Sequence, residues 1–255
     1  MPDSPVVLIH RTEGTIVVTI NRPETRNAIN AAVAAAIGHA MEELDGSDDL
    51  RVGILTGSGG YFCAGMDLKA FVAGESAWAE RGFAGITQKP AAKPLIAAVE
   101  GFAVAGGLEI ALACDLLVAA RGAKLGIPEV KRSLIAAGGG LLRLPRVLPR
   151  NVAMELALTG DPITAERGFE LGLVNRLADP GAALDTALEL AGQITPNAPL
   201  ALAGTKRILT ESVDWPESEF WAKQRQIVGP VAGSEDAREG SIAFAEKRAP
   251  VWKGR

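Results

Sequence analysis

Histidine and cysteine are scarce in this chain of 255 residues, with two of each. His10 and His39 have no metal-ligand companion at useful spacing, so neither zinc nor histidine chemistry is expected. Cys63 and Cys114 sit in apolar contexts without a C-x-x-C spacing, which predicts reduced thiols and a cytoplasmic setting. Positive charge is also in short supply. The formal net charge is −4, against a nucleic-acid surface. No uncharged apolar stretch reaches the ~18 residues of a membrane span. Met1-Pro-Asp-Ser-Pro lacks the charged and apolar segments of a secretory leader. No low-complexity linker and no tandem repeat of fixed period is visible. What is present, 48% hydrophobic and 22% charged residues, sustains a sizeable core and argues against disorder. The length fits one large domain, or one domain with an appendage.

Residues 6–9 and 15–20 are β-rich runs separated by Thr12-Glu13-Gly14, a hairpin signal. Asn21-Arg22-Pro23 ends the second run, and alanine-rich residues 27–44 have helical propensity. Residues 51–56 form a strand that runs into Gly57-Ser-Gly-Gly60 and then into residues 61–69. Residues 94–100 form another, followed by Gly101, Gly106 and Gly107 and an apolar helix over 108–114. The two strand–glycine–helix units, ending near Met66 and Gly106, read as one device used twice. Residues 71–89, polar and punctuated by glycine, are expected to form a mobile loop or frayed helix. Alternating strands and helices up to about Leu177 predict an α/β fold. Beyond Asp179 the strands stop, and helices are expected over 182–194, 199–209, 216–228 and 234–248.

The chemistry concentrates between Pro94 and Gly140. A strand passing through glycines into a helix leaves unpaired backbone N–H groups, a site for negative charge. Glu109 stands in the first turn of that helix, and a second carboxylate, Glu129, follows Gly126-Ile-Pro128. Each glutamate alone has a plainer explanation: the helix dipole favours the first, and turn chemistry favours the second. Together, beside an anion-welcoming helix start, they suggest acid–base chemistry with a stabilised oxyanion.

Several segments in order carry a resemblance. They are Asn21-Arg22-Pro23 with Arg26-Asn27-Ala28, then Phe62-Cys-Ala-Gly65-Met66-Asp67-Leu68-Lys69, then Lys93 to Gly101. Gly106-Gly107-Leu-Glu109, Gly126-Ile-Pro128-Glu129 and the closing residues 244–250 complete the set. The chain resembles the crotonase superfamily from about residue 6 to its end, and within it the enoyl-CoA hydratases. The resemblance implies a crotonase (ClpP-like) spiral fold of repeated ββα units. Residues 1–195 would form the α/β core, and residues 196–255 a helical trimerisation region.

It also implies a function. The substrate would be an acyl-CoA thioester, and the reaction the reversible addition of water to a 2-enoyl-CoA, as in β-oxidation of fatty acids. No metal and no separate cofactor are implied, since coenzyme A belongs to the substrate. The backbone N–H groups at Met66 and Gly106 match the pair that holds the thioester oxygen, each worth roughly 2.7–4 kcal/mol of barrier. Glu109 matches the residue that activates water, and Glu129 the one that protonates the α-carbon. Arg26, Ala28, Ala64, Asp67 and Leu68 match the segments that hold coenzyme A. Lys247 matches a lysine that reaches the coenzyme from a neighbouring subunit. Trimers, often paired into hexamers, are implied too, with Trp215, Phe220, Trp221 and Phe244 offering apolar surface on the appendage.

Two departures from the family pattern stand out. Ala105 replaces a third glycine, a mild change that keeps the site small, and Ile135-Ala136-Ala137-Gly138-Gly139 differs from the usual run beside the water. Leu141-Leu-Arg143-Leu-Pro145 is similar to carnitinyl-CoA dehydratase-like relatives. That activity, a Δ3,Δ2-enoyl-CoA isomerase and a non-catalytic acyl-CoA-binding protein are the alternatives.

Overall fold

A computed structural model describes residues 4–255. Its central sheet is built from near-continuous apolar runs, the pattern of strands covered on both faces. β1 (Val7–Thr12) turns into antiparallel β2 (Thr15–Ile20), with Thr12 opposite Thr15. α1 (Ala31–Gly46) carries the chain to β3 (Val52–Gly57), parallel to β2. The short helix α2 (Leu68–Val72) and a hairpin of β4 (Trp78–Ala79) and β5 (Gly82–Phe83) follow. β6 (Leu95–Val99) returns to the sheet beside β3; β7 (Phe102–Val104) leaves it and feeds α3 (Gly106–Ala113). β8 (Leu116–Ala120) pairs with β6, and β9 (Lys124–Gly126) with β7, both parallel. A 3₁₀ turn over Pro128–Arg132 then leads to α4 (Gly140–Val147) and α5 (Arg150–Thr159). β10 (Ile163–Thr164) joins β9, α6 (Ala165–Glu170) follows, and β11 (Arg176–Ala178) closes the large sheet beside β8.

Among the described residues the large sheet runs β1-β2-β3-β6-β8-β11 and the small one β10-β9-β7. The paths β6-β7-α3 and β8-β9-α4 are equivalent: one strand in each sheet, then a helix. This differs from a strand running directly into α3. Three-residue β7 intervenes, too short to show a period in sequence.

Both faces of the large sheet are covered from β2 inward, while edge strand β1 is exposed beyond Val7. On one, α1 buries Val33, Ile37, Met41 and Leu44, and Asn30 caps it by accepting from the Val33 N–H at 3.1 Å. On the other, α7 (Ala183–Ile194) lays Ala183, Ala187 and Ala191, one helical turn apart, against Val17, Ile54, Ile96 and Val118. α8 (Pro199–Glu211), α9 (Glu217–Ala232) and α10 (Glu235–Glu246) lie beyond. They leave Trp221 65% and Phe244 87% exposed. Trp215 packs on Phe220 at 6.0 Å and under the Lys223 ammonium at 5.7 Å. No helix among the described residues is long and apolar enough to cross a membrane.

Two further expectations change. Of residues 71–89 the first part is exposed after a short helix, as Phe71 and Val72 show, but the second is anchored rather than loose: Phe83, Ala84 and Ile86 are buried. Arg81 pairs with Asp45 at 3.3 Å and donates to the Lys89 and Pro90 carbonyls. Gly85 lies so close to α1 that a β-carbon there would stand 2.2 Å from the Ala34 oxygen. The first long helix starts at Ala31, because Asn27 is taken into a buried junction with φ at 58°. Its Oδ1 accepts from Arg22 N–H at 3.0 Å, and its Nδ2 donates to the Ser58 and Tyr61 carbonyls at 2.9 and 2.8 Å. The loop before α1 is thereby tied to the loop after β3.

Asn27→Ala strands both carbonyls in the interior. It should lower the unfolding free energy by about 2–3 kcal/mol in denaturant titration. A loss under about 0.5 kcal/mol, the range of an ordinary surface change, would show that the junction is not what holds the two loops.

Candidate active site

The loop after β3 and the turn into α3 meet backbone to backbone. Gly65, with φ at 95°, lies so close that a β-carbon would stand 2.9 Å from the Ala105 methyl and 3.0 Å from Gly106 N. Its carbonyl accepts from Ile29 N–H at 2.8 Å, and Asp67 N–H donates to the Ile29 carbonyl at 2.9 Å. Met66, between them, is held on both sides, yet its own N–H finds no acceptor among the described residues. Gly106 opens α3, and its N–H is likewise without one. Two amide donors thus stand side by side on a cavity of about 860 Å³.

The two donors are free for different reasons. Gly106 is a helix start. Met66 precedes α2 by two residues, and that helix is already capped by Asp67, whose Oδ1 accepts from Lys69 and Ala70 N–H. The Gly65 turn, not a second helix start, leaves the Met66 amide bare. Ala105 is also less mild than expected. Its φ of 53° and ψ of −132° belong to glycine territory, a strain of order 1–3 kcal/mol. Its N–H, bonded to the Gly126 carbonyl at 2.9 Å, and its carbonyl, which accepts from Leu108 and Glu109, hold it there.

Glu109 and Glu129 both line the same cavity. Glu109 is only 4% exposed, and its Oε1 accepts the Gly140 N–H at 2.9 Å. Burial pushes its carboxyl above the usual range, against the pull of the Gly140 and Gly138 amides and the Arg143 charge. Glu129 sits in the 3₁₀ turn with a buried Oε2 that has no hydrogen-bond partner. Burial first, then the neighbouring Glu109 charge, push it up to about 7 against the pull of its own N–H.

Toward the other end, Arg26, Ala28, Ala64, Asp67 and Leu68 all line the cavity. The Asp67 carboxylate is committed to structure: besides capping α2 it receives Arg22 Nη2 at 2.9 Å. Burial works against that charge, but the Ala70 amide and Arg22 prevail and hold its carboxyl below the usual value. Arg22, which also donates to the Ala28 carbonyl at 2.6 Å, is a brace. The exposed Arg26 side chain has no partner among the described residues. Lys247, exposed at the end of α10, does not line the cavity of its own chain.

Sequence reasoning did not foresee the Gly140 amide as the partner of Glu109, nor Arg143 behind it, nor Lys124 and Arg132 on the wall. The run Gly138-Gly139-Gly140 before a helix was the available signal for the first. Nothing in the local pattern marks the others.

The family model described as enoyl-CoA hydratase/isomerase matches residues 10–255. The chain belongs to that family. It is 44% identical over 260 residues to the enoyl-CoA hydratase EchA19 of Mycobacterium tuberculosis, covering 98% of this chain and 97% of the relative. It is 43% identical over 247 residues to a carnitinyl-CoA dehydratase of Salmonella typhi, covering 93% and 94%. The crystal structure of enoyl-CoA hydratase EchA1 from Mycobacterium marinum superposes with a TM-score of 0.97 at 58% identity, covering 99% of this chain and 100% of that one. The α/β crotonase fold expected from the resemblance is therefore the fold of this family member.

Glu129 has a cost that can be measured. Its native pKa is raised from 4.5 to about 7, so the folded state holds the proton more tightly than the unfolded chain. Stability therefore falls as pH rises through that window, and the penalty is complete above it. Glu129→Gln should melt higher than the native protein at pH 8, with the gap closing toward pH 5. A gap independent of pH would contradict the strained carboxyl.

Proposed function

We propose that this family member is an enoyl-CoA hydratase acting on 2-enoyl-CoA thioesters with hydrocarbon acyl chains. The observation that carries the reading is the pairing of a buried and a half-buried carboxyl, differently partnered, with two acceptor-free amides on one cavity.

In this reading the thioester oxygen takes the Met66 and Gly106 N–H groups as donors. The Glu109 carboxylate, oriented by Gly140, removes a proton from water as the water oxygen bonds to the β-carbon. The electron pair of the double bond moves onto the thioester oxygen as an enolate, the charge that the amides stabilise. Collapse of the enolate draws the proton of neutral Glu129 onto the α-carbon. One proton enters Glu109 and one leaves Glu129, and the sum is addition of water without redox change. A Glu129 carboxyl near 7 is available as an acid at neutrality, which an ordinary glutamate is not.

Dehydration of a 3-hydroxyacyl thioester uses the same groups in reverse, as the relative named carnitinyl-CoA dehydratase suggests. The wall suits a hydrocarbon chain: Trp78, Phe83, Phe102, Leu134 and Ile135 line it. Arg26, unpaired at the rim, suits a coenzyme phosphate. Lys247 would approach from a neighbouring subunit in a trimer or hexamer, whose contacts would cover Trp221 and Phe244. The cytoplasm remains the expected setting.

Glu109→Gln and Glu129→Gln should each slow hydration of crotonyl-CoA by at least ~10²-fold while coenzyme A affinity stays unchanged. Hydration by the native enzyme should fall above pH ~7 as the Glu129 proton is lost, and fall in acid as Glu109 is protonated. Near-native rates in either variant, or a native enzyme that turns over only 3-enoyl thioesters, would refute the assignment.

A further inference from the structure

The Gly138-Gly139-Gly140 run lies between a carboxylate and a guanidinium. A β-carbon on Gly138 would stand 2.7 Å from Glu109 Oε2, and one on Gly140 would stand 3.2 Å from Glu109 Oε1. One on Gly139, at φ 103°, would stand 2.2 Å from Arg143 Nη1. The outer glycines therefore face Glu109 and the middle one faces Arg143. The Arg143 side chain then spans two segments: Nη2 donates to the Thr87 carbonyl at 2.6 Å and Nη1 reaches the Gly138 carbonyl at 3.4 Å. Thr87 itself is buried, in the anchored stretch between β5 and β6.

We propose that Arg143 is the positioning residue for Glu109, clasping the glycine loop from behind so that the Gly140 amide stays on the carboxylate. What Glu109 does chemically rests on the hydratase reading; the clasp does not. A planar fork with fixed donors suits the task, since it bonds two carbonyls at once and keeps its charge even where burial disfavours it. The same charge lowers the cost of ionising Glu109. The groups facing this pair are few: Glu129 from the 3₁₀ turn, Cys114 at the end of α3 and Arg146 on α4 itself. Arg143 supplies the positive charge that favours ionised Glu109.

The test compares the native enzyme with Arg143→Gln and Arg143→Lys. Titration of ¹³C-glutamate-labelled protein, with the Glu109 signal assigned by its loss in Glu109→Gln, reads the carboxyl without any substrate. In Arg143→Gln the Glu109 titration should move up by about one pH unit or more. Its kcat for crotonyl-CoA should fall roughly tenfold or more with KM retained, as for a displaced catalytic group. Arg143→Lys keeps the charge and loses the fork, so its titration should stay near native while kcat remains reduced. An unmoved Glu109 titration in folded Arg143→Gln, a loss that lies in KM, or native kcat in Arg143→Lys would each overturn the proposal. Should Arg143→Gln fail to fold, Arg143→Lys decides by kcat. Should the native enzyme hydrate no 2-enoyl-CoA, the hydratase reading fails while the titration still decides the role of Arg143.

Discussion

The contact between Gly65 and Gly106 is the constraint on which the site depends. Neither position can carry a side chain: a β-carbon on Gly65 would stand 2.9 Å from the Ala105 methyl, and one on Gly106 would stand 2.5 Å from the Phe83 ring; Gly107 is as confined, 2.2 Å from the Cys63 oxygen. The fold brings three glycines and two loops together so that backbone, rather than side chains, forms the floor. A bridge from Cys63 to Ala103 holds the two loops at that spacing, and one from Ile29 to Met66 ties the first of them to the segment before α1. An unpaired amide costs about 1–3 kcal/mol when buried, so the arrangement stores a need that an incoming oxygen can meet. Such preorganised donors need no rearrangement as charge develops.

The carboxylates are differentiated by what surrounds them. Burial raises both, but Glu109 is answered by the Gly140 and Gly138 amides and by Arg143, whereas one oxygen of Glu129 is answered by nothing among the described residues. Two groups of the same chemistry are thereby biased toward base and acid. The scaffold sets this division. Glu109 comes from the start of α3 and meets a loop that precedes α4, while Glu129 comes from the 3₁₀ turn after β9. Successive ββα units thus supply the two glutamates, one from its helix and the other from the turn ahead of its helix.

Much of this was legible in the residues. The strand at 15–20, the helix beginning near Gly106 and the four C-terminal helices follow from runs long enough to show composition and period. That Met66, Gly106, Glu109 and Glu129 would share one site was implied by the family resemblance, and all four line the cavity. Illegible features share one property: they depend on partners distant in sequence. Asn27 looks like helix until Ser58 and Tyr61 need its amide. Residues 81–89 look loose until Arg81 finds Asp45 and Gly85 finds α1. Arg143 is one arginine in an amphipathic helix until Thr87 arrives behind it.

The central claim is that the Met66 and Gly106 amides polarise the thioester carbonyl. Isotope-edited infrared difference spectroscopy reads this directly, using a carbonyl-labelled 2-enoyl-CoA bound to Glu109→Gln so that turnover is suppressed. The carbonyl stretch should move to lower frequency on binding. Most of that shift should survive Met66→Ala, which keeps the amide, and should shrink in Met66→Pro, which lacks it. A carbonyl frequency equal in free and bound thioester, or a shift untouched by Met66→Pro in a folded protein, would contradict the account.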